Sequence, residues 1–109
     1  MPISGKIYNF GKTNIDKAPA EQGVYVLYCG SPIIYIGTSG VNSTIQSCLA
    51  AHHLGDEGSC SAKATTYRRE ITETADLRVE ELIQEYKAQH NGSLPPCNMK
   101  QDSVDHPGI

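Results

Sequence analysis

The chain has 109 residues, 39% of them apolar and 19% charged, with six Tyr, one Phe, no Trp and a formal net charge of −3. That length holds one domain with a single modest core, and the composition is neither that of a disordered chain nor that of a fibrous one. The acidic balance argues against non-specific coating of nucleic acid, which draws on phosphate neutralisation, and no apolar run approaches the roughly 18 residues of a membrane helix.

Residues 1–22 read as an irregular lead-in packed on the domain, broken by "FGK" and "APAEQG". From Gly23, "GVYVLYCGSPIIYIG" is a hairpin signal with Gly30, Ser31 and Pro32 in the loop. If Cys29 pairs with Ile33, Leu27 opposes Tyr35 and Tyr25 opposes Gly37, so the two tyrosines share a face as diagonal neighbours. A shift by one residue puts them on opposite faces, and spacing alone permits both registers. In the first register Val24, Val26, Tyr28, Ile34 and Ile36 make the second face apolar too, so helices are needed on both sides of the sheet.

"STIQSCLAAHH" supplies one helix, with Ile45, Cys48, Leu49 and His52 at helical spacing and Ser43 or Thr44 as cap. "GDEGSCSAKA" is a loop or short helical turn, and "TTYRREITET" alternates as a third strand. A second helix follows Asp76 as N-cap, carries Val79, Leu82, Ile83 and Tyr86 in one stripe, and ends at "HNG", where Gly92 takes the left-handed cap. The expected fold is α/β of the α+β type: a three-stranded antiparallel sheet flanked by helices, with the domain at residues 23–98 and a tail at 99–109.

On the second helix, Glu81 points roughly 150° from the stripe and is a solvated charge, while Glu80 and Glu85 flank the stripe at roughly 110° on opposite sides. Lys63, Arg68 and Arg69 gather within a short span, followed by Glu70 and Glu73, a pattern that also fits a solvated strand edge. His52 and His53 have no Cys or carboxylate at ligand spacing and read as packing or surface histidines. "GTSG" lacks the G-K-[ST] of a phosphate loop and reads as the strand-to-helix turn. Gly37 permits close backbone approach beside Tyr25. Cys29, Cys48, Cys60 and Cys97 form no C-x-x-C pair, so reduced, packed thiols are expected. "MPISGKIYNF" lacks the order of a signal peptide, so the expected compartment is the cytoplasm.

"GVY" at Gly23 to Tyr25, "YIG" at Tyr35 to Gly37, the late "VEELIQEY" and the closing "LPPCN" follow the order of elements in the GIY-YIG nuclease superfamily, which the chain resembles from about Gly23 to Asn98. "CLAAHHLG" resembles the "R-L-x-x-H-x-x-G" helix end of small members, which brings in His52. The resemblance implies a metal-dependent endonuclease that hydrolyses DNA phosphodiester bonds. Glu85 matches the helix glutamate and is the implied ligand for Mg²⁺ or Mn²⁺. One of Tyr25 and Tyr35 orients or deprotonates the attacking water, and which one is left open. A phenol near pKa 10 does this at neutral pH only if a neighbouring cation lowers it. Asn98 matches the closing asparagine, with Cys97 where an aromatic is common.

One departure stands out: Cys48 occupies the position of the family's first-helix arginine, and no arginine precedes Arg68. Lys63, Arg68 or Arg69 are the substitutes at hand for phosphate binding, with Gly37 and Asn98 beside them. The partner is then DNA, branched or of phage or mobile-element origin, and no membrane. The alternative is a catalytically inactive module of this type that binds nucleic acid or a protein partner. A third reading treats both tyrosines as plain core.

Overall fold

In the computed structural model, which describes residue 3 and residues 5–40 and 42–98, the elements run β1 (Tyr8–Asn9), α1 (Lys12–Asp16), β2 (Gly23–Tyr28), β3 (Ile33–Thr38), α2 (Ile45–Leu54), α3 (Ser59–Ala62), β4 (Thr66–Ile71) and α4 (Ala75–Gln89). The tail expected at 99–109 lies outside the described residues. The strands form one antiparallel sheet in the order β1-β4-β2-β3. The α+β class is therefore as expected, but the sheet has four strands rather than three. The additional strand comes from the segment read as irregular. Tyr8 pairs with Tyr67 and stacks on its ring at 5.4 Å, and Phe10 N–H donates to the Thr65 carbonyl. A strand of two residues cannot display alternation, so tertiary contacts alone reveal it.

The hairpin settles the register that spacing left open. Tyr25 lies opposite Gly37 and Leu27 opposite Tyr35, while Tyr28, not Cys29, pairs with Ile33 through an irregularity next to Leu27. Tyr25 and Tyr35 therefore share a face, and their rings stack at 6.1 Å.

Two apolar layers follow from the alternation of side chains along β2. Tyr25, Leu27, Tyr35 and Tyr67 pack with Phe10, with Ile15 of α1 and with Ile45 and Leu49 of α2. Val24, Val26, Tyr28 and Ile36 pack with Ala75 and Leu82 of α4, flanked by Val79, Ile83 and Tyr86. The sheet is thus covered on both sides, and α2 and α4 lie on opposite faces.

Local chemistry sets the helix ends. Thr44 caps α2 in a reciprocal box with Ser47, and Gly55 ends it at φ +87°. Asp76 sits in the first turn of α4 rather than at its N-cap, which is Thr74. Gly92, at φ +84°, donates its N–H to the Lys87 carbonyl. Arg78 then ties α4 to β4 through Glu70 and pairs with Glu81 on its own helix.

The thiol expectation is corrected at two positions. Cys60 and Cys97 form a disulfide, with their Cα atoms 5.5 Å apart, while Cys29 and Cys48 are free thiols. The physical reason lies in the edge of β3. Asn98 accepts from the Ile36 N–H and donates to the Ile36 carbonyl, both at 2.9 Å, and so draws the closing segment against the sheet beside α3. No helix among the described residues is long and apolar enough to cross a membrane.

Candidate functional site

Both glycines of the mirrored triplets are packing positions. A Cβ on Gly37 would come within 2.6 Å of Tyr25 Cζ and of Tyr35 Cε2, and one on Gly23 would lie 2.6 Å from Ile45 Cδ1 and collide with the Glu70 carbonyl oxygen. Only glycine lets the two rings lie across β3 and lets α2 settle on the hairpin. The close approach expected at Gly37 is therefore present.

α2 then places His52 over the ring pair. Its Nε2 is 2.9 Å from Tyr25 Oη, and its Nδ1 is 2.7 Å from the Ser61 hydroxyl oxygen of α3. Tyr25, His52 and Ser61 are each 2% exposed. In either tautomer the neutral imidazole uses both nitrogens, donating from one and accepting at the other. Burial lowers the His52 pKa from 6.5 to about 4, so the ring is neutral at pH 7. Burial also pushes the Tyr25 phenol well above 10, reinforced by Tyr35, Cys48 and Glu57. A phenolate general base needs the opposite shift.

A cleft of about 330 Å³ opens against this group, lined by Tyr25, Tyr35, His52, Cys48, Ser47 and Glu57 among others. None of the described residues lining it is a lysine or arginine. The remaining candidates lie elsewhere. Lys63 is exposed after α3. Arg69 stands opposite Tyr25 in β4, but its guanidinium stacks on Tyr8 at 4.5 Å and donates to Tyr8 Oη. Arg68 pairs with Val26 on the α4 face and donates to Tyr28 Oη. Asn98 is engaged by the Ile36 peptide.

Glu85 is the main departure from the expected site. It lines a second cleft, of about 410 Å³, with Val26, Tyr28, Ile36 and Leu82, all members of the α4-side layer. Tyr25 and Tyr35 belong to the other layer. Glu85 and the tyrosines are thus separated by the sheet. A divalent ion held by Glu85 would be remote from both phenols, so the implied metal does not fit a site shared by these three residues. Among the described residues, no group of three or more His, Cys, Asp or Glu is placed to hold a metal ion.

Of the residues expected at the site, the structure brings Tyr25, Tyr35, Gly37 and His52 together without Glu85, and it adds Ser61 and Glu57, which the sequence did not single out. Ser61 carries no signal in its own stretch, because its role depends on α3 folding back over α2. Glu57, in the same loop, is the carboxylate that does line the tyrosine cleft. No protein-family model matches the chain, and no curated protein matches it significantly.

Proposed function

We propose that this chain is a catalytically silent module of GIY-YIG type that acts by binding a partner at the Tyr25–Tyr35 cleft. The observation that carries the reading is the position of Glu85 across the sheet from the tyrosines. Phosphodiester hydrolysis needs charge compensation at the transferring phosphoryl group, from a metal, a cation or both. Among the described residues the cleft brings no Lys or Arg to that position, Cys48 stands where the family's arginine is expected, and the Tyr25 phenol is held protonated. The same absence of basic side chains among the described lining residues, with a net charge of −3, favours a protein partner over DNA.

A second reading, a metal-dependent DNA endonuclease, has one specific observation in its favour: Glu57 shares the cleft with Tyr25, Tyr35 and His52. In that reading Glu57 replaces Glu85 as the ligand for Mg²⁺ or Mn²⁺. A Mn²⁺ titration followed by amide NMR separates the two. The silent module predicts no selective paramagnetic broadening around Tyr25, Tyr35 and Glu57 at millimolar Mn²⁺. Saturable broadening there, lost in Glu57→Gln, would establish a metal site and overturn the silent reading.

A further inference from the structure

The cleft on the α4 face is separate from the tyrosine site and has its own chemistry. Its volume of about 410 Å³ falls in the range of small-molecule sites, which are mostly apolar with a few fixed polar groups. Val26, Ile33, Ile36 and Leu82 give it apolar walls, and among the described lining residues Arg68 is the one Lys or Arg.

Neighbouring groups hold Arg68 in place. Its Nε donates to the Gly5 carbonyl at 3.2 Å and its Nη1 to Tyr28 Oη at 2.9 Å, with the guanidinium carbon 5.6 Å from the Tyr28 ring centre. A guanidinium carries five N–H groups, so three remain beyond these two bonds. The donor is oriented before any ligand arrives, which lowers the ordering cost of binding. Tyr86 and His90, which also line the cleft, stack at 3.8 Å with their planes 8° apart. The single guanidinium of Arg68 matches a singly charged head, which it can hold through two parallel N–H groups.

We propose that this cleft binds a small amphipathic monoanion, with a single carboxylate or sulfonate head on Arg68 and an apolar, ring-bearing body against Val26, Ile36 and Leu82. The proposal does not depend on what the tyrosine cleft does.

The test uses two dyes with the same ring system, the monoanion 8-anilinonaphthalene-1-sulfonate and its uncharged counterpart N-phenyl-1-naphthylamine, titrated into the full chain under native conditions. A charge-assisted hydrogen bond to the head predicts saturable one-site binding of the sulfonate dye, at least about tenfold tighter than the neutral dye. Arg68→Met should bring the sulfonate dye down to the affinity of the neutral one. The chain has no Trp, so Ser31→Trp at the cleft provides a sole reporter. That Trp should either transfer energy to bound dye with the same midpoint or abolish binding by filling the cleft, and both results place the dye there. Equal affinities for the two dyes, unsaturable binding, or a Ser31→Trp chain that binds the dye without an emission response would overturn the proposal. If Arg68→Met fails to fold, the two-dye comparison on the unmodified chain and the Ser31→Trp titration decide it.

Discussion

His52 should make the stability of this fold depend on pH in a way that one substitution removes. Its imidazole is 2% exposed between the hydroxyls of Tyr25 and Ser61, and burial lowers its pKa from 6.5 to about 4. In the unfolded chain the same ring protonates near pH 6.5. Between those values the unfolded state binds a proton that the folded state does not, so stability is complete above pH 6.5 and falls as the pH drops toward 4. At about 1.4 kcal/mol per pH unit the loss from this one group totals about 3 kcal/mol, a large part of the stability of a small domain. Urea unfolding of the chain and of His52→Gln, from about pH 7.5 to about pH 4.5, isolates it, because carboxylate contributions common to both cancel in the difference. The substitution should destabilise the chain at neutral pH, and the gap between the two should shrink by about 2.5 kcal/mol over that range. Parallel curves, or an NMR titration of the His52 ring near pH 6.5, would refute the reasoning.

Three further outcomes follow from the packing. Gly37→Ala drives a methyl group into the Tyr25 and Tyr35 rings, one of them pinned by His52, and should cost about 1–3 kcal/mol, or roughly 5–20 °C in Tm. Gly30→Ala, at φ +69° with nothing within 4 Å of the added carbon, should cost only about 1 kcal/mol of backbone strain, and equal Tm losses for the two would contradict the packing argument. Asn98→Ala removes both bonds to the Ile36 peptide and should cost about 1–3 kcal/mol, with hydrogen exchange at the Ile36 amide faster than in the parent chain. Cys60 and Cys97 are 37 residues apart, so replacing both with Ala should cost about 4 kcal/mol by the loop-entropy relation, and an unchanged urea midpoint would show that the bond does not constrain the unfolded chain.

The sheet core was legible where one residue type had a single physical use. Two apolar faces on β2 and β3 required helices on both sides, and those helices are α2 and α4. Spacing left the hairpin register open, and the structure adopts the one that sets Gly37 opposite Tyr25, with the aromatic rings packed against its backbone. The helix wheel showed that Glu85 borders the apolar stripe of α4. It could not show which face of the sheet that stripe covers, because the path of the chain from β4 into α4 decides this, and periodicity within a helix carries no such information. The same limit hid β1, whose two residues pair with Tyr67 and Thr66, and the disulfide, whose cysteines lie 37 residues apart in sequence on α3 and the closing segment.

A silent tyrosine cleft holds no hydrolytic centre, as proposed above, and the deciding experiment is nicking of supercoiled plasmid by the full chain, with Mg²⁺ and then Mn²⁺. The chain and its Tyr25→Phe, Glu57→Gln and Glu85→Ala variants, purified identically, should show the same background with either metal. Metal-dependent nicking by the parent chain that is lost in Tyr25→Phe and in either glutamate variant would contradict the account and identify the carboxylate that serves the reaction.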